Sequence, residues 1–401
     1  MKSALALIAA TTVLANTYIV QLQPSDRLTE SDGPLDLSWV HDILAKNPDE
    51  DRNEPSSINS EYNFNGFQGF ALTANERAIK ELYAHNQVKH LVKERPLKLY
   101  TPLPAEKARA ADATWGIDRI DQRDLPLNKI YNSPGGQGEN ITVYVIDTGL
   151  KADHPEFEGR AVNGPGFVHG VITETSPDDN GHGTHCAGTI ASKTYGVAKK
   201  AKVVSLKVFD RTGGGDSGVI AAIQYVAKNA VPGKTVVSMS LGTDLRNCVD
   251  TQTNPTQEVC NNPIMKEALR AATELNIPFA VAAGNDATDA CRVAPASEPK
   301  AYTVASSTSS DRLSGFSNHG KCVDIIAPGS SITSTWNNGR TNTISGTSMA
   351  TPHVAGVMAV LLSQRSFATV EELYDAVSAL ATPNKFTSLP AGTVNKLLFV
   401  K

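Results

Sequence analysis

The chain has 401 residues, of which 19% are charged, and its formal net charge at pH 7 is −4. A chain of this length can form two or more domains around a large core, and the composition is that of an ordinary globular protein. The weak net charge, and the lack of a Lys/Arg run interleaved with aromatic residues, give no support to a nucleic acid or a membrane surface as a partner.

The first fifteen residues predict a secretory signal peptide. Lys2 supplies a positive charge, an apolar run starts at Ala4, and a small residue, Ala15, stands at its end. The run is too short to span a bilayer, as is every later apolar segment, and a buried N-terminal helix is the alternative interpretation. We therefore expect residues 1–15 to be removed and the remaining chain to enter an oxidising compartment.

The five cysteines predict disulfide bonds in such a compartment. They are Cys186, Cys248, Cys260, Cys291 and Cys322. Because the count is odd, at least one of them stays free or pairs between chains. Cys248 and Cys260 enclose a loop rich in Asn, Gln, Thr and Pro, where we expect a local bridge. Cys291 and Cys322 would then form the second bridge and Cys186 would be the free thiol, although the count alone leaves the connectivity open.

Residues 16–107 predict a small separate α+β domain. The expected elements are a strand at 17–22, a helix at 37–45, a hairpin across 61–71, a helix at 75–83 and a strand at 88–92. This β-α-β-β-α-β order is that of a ferredoxin-like domain. Three prolines and a charged pair then predict a linker, at Pro96, Pro102, Pro104 and Glu106-Lys107.

Residues 108–401 predict a larger α/β domain. Strands are expected at 141–146, 203–208, 236–240, 279–282, 302–305 and 323–326, and helices at 183–192, 217–228, 262–276 and 348–364. The strands are rich in Val and Ile without clean alternation, which is typical of strands covered on both faces. The pattern therefore predicts a mainly parallel central sheet with helices on both faces.

Gly346-Thr347-Ser348 stands directly before the last of these helices. Pro352 falls near its first turn, where a missing N–H costs little. Ser348 is thus expected at the positive end of a helix, among free backbone N–H groups. A serine there can attack a carbonyl while those groups hold the developing oxyanion, and a plain helix cap is the alternative.

Three more polar residues follow strand ends or begin helices. Ligands of parallel sheets bind beyond the carboxyl ends of the strands, and Asp147 ends the first strand. His182 stands between glycines at the start of a helix, so its ring can be accessible. Asn285 follows the strand at 279–282, and its amide can donate to an oxyanion. Taken singly, Asp147 and Asn285 are more typical of turns and loop starts.

His182, His185 and Cys186 also allow a zinc site as an alternative. The i,i+3 spacing puts the two histidines on one helix face. A catalytic zinc site, however, needs a third ligand and usually a glutamate base, and the sequence has no H-E-x-x-H motif. A binding protein that kept the fold and lost catalysis is a further alternative, but no candidate catalytic residue is missing.

Asp147, His182 and Ser348 follow one another in the order found in subtilisin. The segments 145–149, 180–188 and 346–353 resemble the three signatures of the subtilisin-like serine proteases, and within them the proteinase K group with its cerevisin-like fungal members. The resemblance covers roughly residues 115–395. The N-terminal domain resembles the inhibitor-type propeptide of that family.

The resemblance implies a role for each of these residues. Asp147 would orient His182, which would act as general base and then as general acid, while Ser348 would be the nucleophile. Asn285 and the Ser348 N–H would form the oxyanion hole. Ser240-Leu241-Gly242 and Ala282-Ala283-Gly284 would be the walls of the pocket for the residue before the scissile bond, with room for a bulky apolar or aromatic side chain.

The resemblance also implies a groove and a metal site. Gly213-Gly214-Gly215 would pair with an extended substrate, and Phe209 would narrow the neighbouring subsites. Pro299, Ala301 and Asp324 match a family calcium site lined by oxygen atoms, whereas residues 384–392 lack the aspartate of a second one. Catalysis would need no cofactor. The Cys291–Cys322 pairing matches a bridge of the family, and Asn140-Ile141-Thr142 fits the N-glycosylation motif.

These features predict a secreted, self-processing serine endopeptidase of broad specificity. The expected partners are protein and peptide substrates and its own propeptide, which would act as intramolecular inhibitor and chaperone, and we expect a monomer. A vacuolar processing protease of the cerevisin type is the alternative, although the compact propeptide and the lack of a C-terminal extension favour secretion. Trp115-Gly116 aligns with the start of mature relatives, so cleavage is expected near Lys107-Ala108, with Tyr100 as the alternative.

Overall fold

The structure, a computed structural model, describes residues 17–24, 34–48, 56–99, 103–104, 113–243, 248–249, 252–257, 259 and 262–401. The predicted signal peptide and both expected cleavage sites, at Tyr100 and at Lys107-Ala108, lie outside these ranges, as does Cys260. Within the described part of the chain, no helix has the length and apolar character needed to cross a membrane.

Residues 17–93 form the N-terminal domain. Its elements are β1 (Thr17–Leu22), α1 (Ser38–Lys46), β2 (Ser57–Phe64), β3 (Phe67–Thr73), α2 (Glu76–Tyr83) and β4 (Val88–Lys93). The four strands form an antiparallel sheet in the order β2-β3-β1-β4. In β1, Tyr18 and Val20 pack with the two helices and Ile19 faces the opposite side, as the period of two along a strand requires. The ferredoxin-like prediction is confirmed.

The two short strands at 97–99 and 103–104 belong to the tail of the N-terminal domain, and the elements from residue 113 onward form the larger domain. In chain order the elements are β5 (Leu97–Leu99), β6 (Leu103–Pro104), α3 (Trp115–Ile120), β7 (Thr142–Asp147), β8 (Ala161–Val168), β9 (Val171–Thr173), α4 (His182–Ala191), β10 (Lys202–Lys207), α5 (Asp216–Asn229), β11 (Thr235–Met239), β12 (Leu241–Thr243), α6 (Pro263–Thr273), β13 (Phe279–Ala282), β14 (Tyr302–Ser307), β15 (Ile325–Pro328), β16 (Ile332–Thr335), β17 (Thr341–Ser345), α7 (Thr347–Gln364), α8 (Val370–Leu380), β18 (Thr382–Pro383) and β19 (Lys396–Leu397).

The central sheet has ten strands in the order β18-β19-β15-β14-β13-β11-β7-β10-β8-β9. Only the edge pairs β8–β9 and β18–β19 are antiparallel, so the predicted mainly parallel sheet is confirmed. In β7, Val143 and Val145 join the core shared with α4 and α7, whereas Tyr144 and Ile146 join the core shared with α5 and α6. Both faces of the strand are therefore buried, which explains its unbroken run of apolar and aromatic residues.

The predicted helices and strands lie close to the observed ones, but several elements were missed, among them helix α3, two hairpins, helix α8 and the short strands β5, β6, β12, β18 and β19. The hairpin β8–β9 contains Gly164-Pro165-Gly166, which breaks the strand pattern. The hairpin β16–β17 and helix α8 were also not predicted. Helix α8 does carry a signal, a Thr-x-x-Glu capping pattern in which Thr369 Oγ1 accepts the N–H of Glu372 at 3.2 Å.

Candidate active site

Three elements of the larger domain bring Asp147, His182 and Ser348 together. Asp147 ends β7, His182 begins α4, and Ser348 lies in the first turn of α7. His182 Nδ1 lies 2.8 Å from Asp147 Oδ1 and 3.0 Å from Oδ2, and both side chains are buried. With its Nδ1 proton directed at the carboxylate, the imidazole keeps Nε2 as an acceptor. His182 Nε2 has no hydrogen-bond partner among the described residues.

Ser348 is held in a resting position. Its hydroxyl donates to the Ser240 carbonyl at 3.1 Å, and its own carbonyl accepts from Ser240 Oγ at 2.9 Å. Rotation about the Ser348 Cα–Cβ bond is therefore needed before Oγ can give its proton to His182. Hydrogen bonds of this kind often become aligned only when substrate binds.

The charge state of His182 is set by two opposing effects. Burial opposes the charged form, but the adjacent Asp147 carboxylate outweighs it and holds the pKa of His182 well above its ordinary value. Burial raises the pKa of Cys186, a free cysteine whose Sγ lies 3.9 Å from His182 Nδ1. Cys186 is therefore a buried neutral thiol and not a nucleophile.

The alternative zinc site is not assembled. His185 Nε2 lies 3.0 Å from the Ile332 carbonyl, and burial lowers the pKa of His185 to about 3. Among the described residues, the grouped ligand atoms at this place belong to Asp147, His182 and Cys186, without His185. The geometry therefore supports a serine nucleophile with a histidine base.

Asn285 is oriented by a residue that the sequence analysis did not single out. Its Oδ1 accepts from the Thr347 N–H at 2.9 Å and from Thr347 Oγ1 at 2.8 Å. The amide is thereby fixed, and Nδ2 is left as the donor. A Cβ at position 346 would lie only 3.2 Å from this Nδ2, so glycine lets the two segments approach. Together with the Ser348 N–H at the start of α7, Asn285 Nδ2 can form an oxyanion hole.

The groove beside the triad is filled by the chain itself. Strand β5 pairs antiparallel with β12, with Leu99 opposite Leu241 and Lys98 opposite Gly242. On its other edge, the Leu97 N–H donates to the Gly214 carbonyl at 3.0 Å. Residues 97–99 therefore pair with β12 on one edge and bond to the Gly214 backbone on the other, as an extended peptide substrate would.

The predicted groove residues lie around this strand. Pro96 forms a bridge with Gly215, and the Gly213 carbonyl accepts the Asp210 N–H at 3.0 Å. Phe209 is buried under Gly214, where a Cβ would lie 2.7 Å from its ring. A glycine is thus required at position 214 for the backbone of the groove to pack this closely on the Phe209 ring.

The two predicted pocket walls follow β11 and β13. Ser240, Leu241, Ala282 and Ala283 are buried, and the Gly284 N–H donates to Thr347 Oγ1 at 3.2 Å. The predicted pocket walls therefore lie next to Ser348 and to the hydrogen-bond donors of the oxyanion hole.

The chain leaves the site along a second sheet. Strand β6 pairs antiparallel with β17, with Leu103 opposite Ser345 and Pro104 opposite Ile344. The described parts of the chain on both sides of Tyr100 thus lie against strands that flank Ser348. A two-residue strand has no recognisable sequence pattern, so this contact could not be predicted.

The N-terminal domain packs against α5 and α6. Tyr62 Oη donates to the Ser217 carbonyl at 3.1 Å, and Asn65 Nδ2 donates to the Ala271 carbonyl at 2.7 Å. Its apolar sheet face, including Phe64 and Phe67, shares one core with these helices. The domain and its tail therefore close the groove together.

The remaining predicted residues lie away from the triad. Cys291 and Cys322 form a disulfide with a Cα–Cα distance of 5.2 Å. Cys248 is also disulfide-bonded, while its predicted partner Cys260 lies outside the described residues. Asn140 is exposed at a bend before β7.

Asp324 lies beside the start of β14, and Pro299 and Ala301 come directly before that strand in the sequence. Its Oδ2 accepts the Thr303 N–H at 2.7 Å, and burial raises the pKa of Asp324 to about 6. A cation bound here would favour the charged carboxylate. Asp324 therefore supplies one buried carboxylate of the kind that the implied oxygen-lined site would use.

Comparison with known proteins agrees with this geometry. Residues 138–394 match the family model described as "Subtilase family", and residues 17–100 match that of "Peptidase inhibitor I9". The chain is 40% identical over 352 residues to the "Cuticle-degrading protease" of Metarhizium anisopliae, which covers 86% of this chain and 84% of that protein. It is 44% identical over 293 residues to "Alkaline serine protease ver112" of Corniculantispora psalliotae, covering 72% and 70%.

A solved structure supports the same assignment. The "cold adapted subtilisin-like serine proteinase" superposes with a TM-score of 0.66 at 44% identity, covering 73% of this chain and 99% of that chain. The matched segments contain the Asp147–His182 pair, Ser348 at the start of α7 and an inhibitor-type domain whose tail fills the groove. The chain therefore belongs to the subtilase family, and is a subtilisin-like serine protease that carries an inhibitor domain of the I9 type.

Proposed function

We propose that this protein is a secreted endopeptidase of broad specificity, made as a precursor that cuts itself, with a preference for a bulky apolar or aromatic residue before the scissile bond. The observation that carries the proposal is that residues 97–99 lie as a strand between Gly214 and β12. Recognition through the backbone makes few demands on substrate side chains, which supports broad specificity. The small wall residues Ala282, Ala283 and Gly284 support a roomy first pocket.

The site geometry supports acyl transfer through an ester of Ser348. Ser348 Oγ attacks the peptide carbonyl carbon while His182 Nε2 takes the hydroxyl proton, and Asp147 stabilises the imidazolium that forms. The negative oxygen is held by the Ser348 N–H and by Asn285 Nδ2. His182 then gives its proton to the leaving amine, and a water molecule repeats the sequence to release the acid and restore Ser348.

The pairing register supports Tyr100–Thr101 as the first bond to be cut. Leu99, the last described residue before Tyr100, lies opposite Leu241, which directly follows Ser240. The Ser240 carbonyl is the group to which Ser348 Oγ donates. The match to the inhibitor family also ends at residue 100. We therefore place the first cut here and treat Lys107-Ala108 as a site of later trimming.

Replacing Tyr100 by aspartate is expected to slow the first cut at least tenfold, because a charge would enter an apolar pocket. The measurement is the time course of precursor loss, with the released N-terminal fragment identified by mass. Lys107→Asp is the control and should leave the first cut unchanged. A first fragment that ends at Lys107, with no effect of Tyr100→Asp, would contradict the assignment.

We also propose that the N-terminal domain helps the larger domain to fold. It contributes Tyr62, Phe64 and Phe67 to a core that α5 and α6 would otherwise leave uncovered. Co-expression of residues 17–100 with residues 101–401 is expected to raise the yield of active enzyme at least tenfold over residues 101–401 alone. Equal yields would show that the domain inhibits but does not assist folding.

The proposed location is extracellular and the proposed state is a monomer. The predicted signal peptide and the Cys291–Cys322 disulfide support passage through an oxidising route. Activity in the culture medium tests this location, whereas activity retained in a vacuolar fraction would favour the alternative.

We propose one structural Ca²⁺ site formed by Asp324 and the backbone carbonyls of Pro299 and Ala301. The raised pKa of Asp324 makes the cation effect dependent on pH, because the carboxyl binds Ca²⁺ only when ionised. Millimolar Ca²⁺ should therefore raise Tm over EDTA by several degrees at pH 7.5, but by much less at pH 5, below the Asp324 pKa of about 6. Asp324→Asn should abolish the difference, and an unchanged calcium effect in that variant would rule out this site.

A further inference from the structure

The segments that carry Asp147 and His182 are joined by a polar network centred on Asp178. Asp178 Oδ1 accepts from Thr148 Oγ1 at 2.9 Å and from the backbone N–H groups of Asn180 at 2.9 Å and Gly181 at 2.8 Å. Its Oδ2 accepts from the Thr184 N–H at 3.0 Å and from Thr184 Oγ1 at 2.6 Å. One half-buried carboxylate thus receives five hydrogen bonds.

The two hydroxyls extend this network to the catalytic pair. Thr148, next to Asp147, uses Oγ1 to accept the Gly183 N–H at 2.9 Å, and Gly183 is next to His182. Thr184 uses Oγ1 to accept the Lys151 N–H at 3.0 Å. Each carboxylate oxygen of Asp178 therefore accepts a hydrogen bond from one threonine hydroxyl. Each of these hydroxyls in turn bridges the segment after β7 and the start of α4.

The cationic side chain of Lys207 also links these segments. Lys207 Nζ donates to the Thr148 carbonyl at 2.7 Å and to Asp179 Oδ1 at 2.6 Å. It thereby joins the residue after Asp147 to the residue after Asp178. The spacing between the two catalytic segments is thus fixed by contacts outside the Asp147–His182 pair.

We propose that Asp178 is a positioning residue for the known reaction, which keeps the His182 ring aligned with Asp147 and with the substrate. It touches neither the substrate nor the reacting atoms, and it acts through Thr148, Thr184 and the turn before α4. An ionised carboxylate is needed because it only accepts hydrogen bonds. In Asp178→Asn, the amide nitrogen would face some of the five donors and could not accept their hydrogen bonds. One of the two bridges would therefore be lost.

The test expresses full-length chains that carry Asp178→Asn or a matched control and measures kcat on the processed enzymes, because the uncut tail fills the groove. Asp178→Asn is expected to lower kcat on a peptide substrate by 10-fold to 100-fold, on the order of the loss caused by a small misplacement of a catalytic group, with KM changed less than twofold. The rate of self-processing should fall in parallel. Assays are run far below Tm, so that a loss of folded protein does not enter kcat.

Glu156→Gln is the matched control. Glu156 accepts hydrogen bonds from the Thr194 N–H at 2.7 Å and from Thr194 Oγ1 at 2.8 Å. These are the same two kinds of donor that Thr184 offers to Asp178, but Glu156 lies at the surface, away from the triad. It should lower Tm at most and leave kcat unchanged. The low-field proton signal of the His182–Asp147 hydrogen bond should shift or broaden in Asp178→Asn but not in this control.

A second pair of variants keeps the proposal testable if Asp178→Asn fails to fold. Thr148→Val removes the bridging hydroxyl and should lower kcat, whereas Thr148→Ser keeps it and should restore most of the activity. Combined with Asp178→Asn, Thr148→Val should add little further loss, because both break the same bridge. Parental kcat in Thr148→Val, or an Asp178→Asn variant that loses only Tm and keeps the proton signal, would overturn the proposal.

Discussion

Replacing Ser348 by alanine is expected to leave the precursor uncut and to lower kcat on the order of 10⁶-fold, because no other hydroxyl at the site can form the acyl ester. The oxyanion donors remain, but in the uncut precursor residues 97–99 still fill the groove, so the loss of rate includes this block. Gel analysis of the expressed chain and rates with a chromogenic peptide measure both effects. The host strain must lack other processing proteases.

Two variants control for disturbance of the site. Ser363 lies on the same helix, where its hydroxyl donates to the Val360 carbonyl at 2.6 Å, and Ser363→Ala should process and react normally. Cys186→Ala should keep most of the activity, since the thiol is buried and neutral. Complete processing of the Ser348→Ala chain, or equal loss in Cys186→Ala, would refute the assigned nucleophile.

Replacing Asp147 by asparagine is expected to lower kcat by about 10⁴-fold. The His182 imidazolium loses the carboxylate that stabilises it, and the ring is no longer held in the tautomer with its proton on Nδ1. The pH profile should move as well. In the parent enzyme the active form is the neutral imidazole, and the Asp147 carboxylate raises the pKa of His182. Activity is therefore lost as pH falls through a value above the ordinary histidine pKa of about 6.5. Without the carboxylate, the residual activity should persist to lower pH.

The measurement is kcat/KM against pH for both proteins, over a range in which they stay folded. Asp153→Asn, which removes an exposed carboxylate close in sequence, is the control and should keep the parental profile. An acid limb in Asp147→Asn at the parental pH or above would contradict the proposed electrostatic role.

Much of the fold was predictable because its signals are local. Asp147 ends a strand that is buried on both faces, and His182 begins a helix after a glycine. Ser348 and Asn285 were predicted as site residues from chain order, from their neighbouring residues and from the resemblance to the subtilisin-like proteases. Cys186 lies four residues after His182 in the same helix, and the structure places the two side chains together.

What could not be predicted depends on contacts between distant segments. The role of Thr347 rests on the way its N–H and hydroxyl meet Asn285, 62 residues away in sequence. The Asp178 network likewise needs Thr148, 30 residues upstream. Strand β6 pairs with β17 over only two residues, too short for a pattern of alternation. In each case the contact forms between segments that are distant in the sequence, and neither segment alone has a pattern that predicts it.

Ser348 is the proposed nucleophile of the mature enzyme. Reaction with phenylmethylsulfonyl fluoride, followed by peptide mapping with mass spectrometry, tests it most directly. We expect one sulfonyl group per chain, on the peptide that contains Ser348, with activity lost in proportion to labelling. A label on Cys186 or any other residue at full inactivation, or a fully labelled Ser348 in an enzyme that still cleaves peptides, would contradict it.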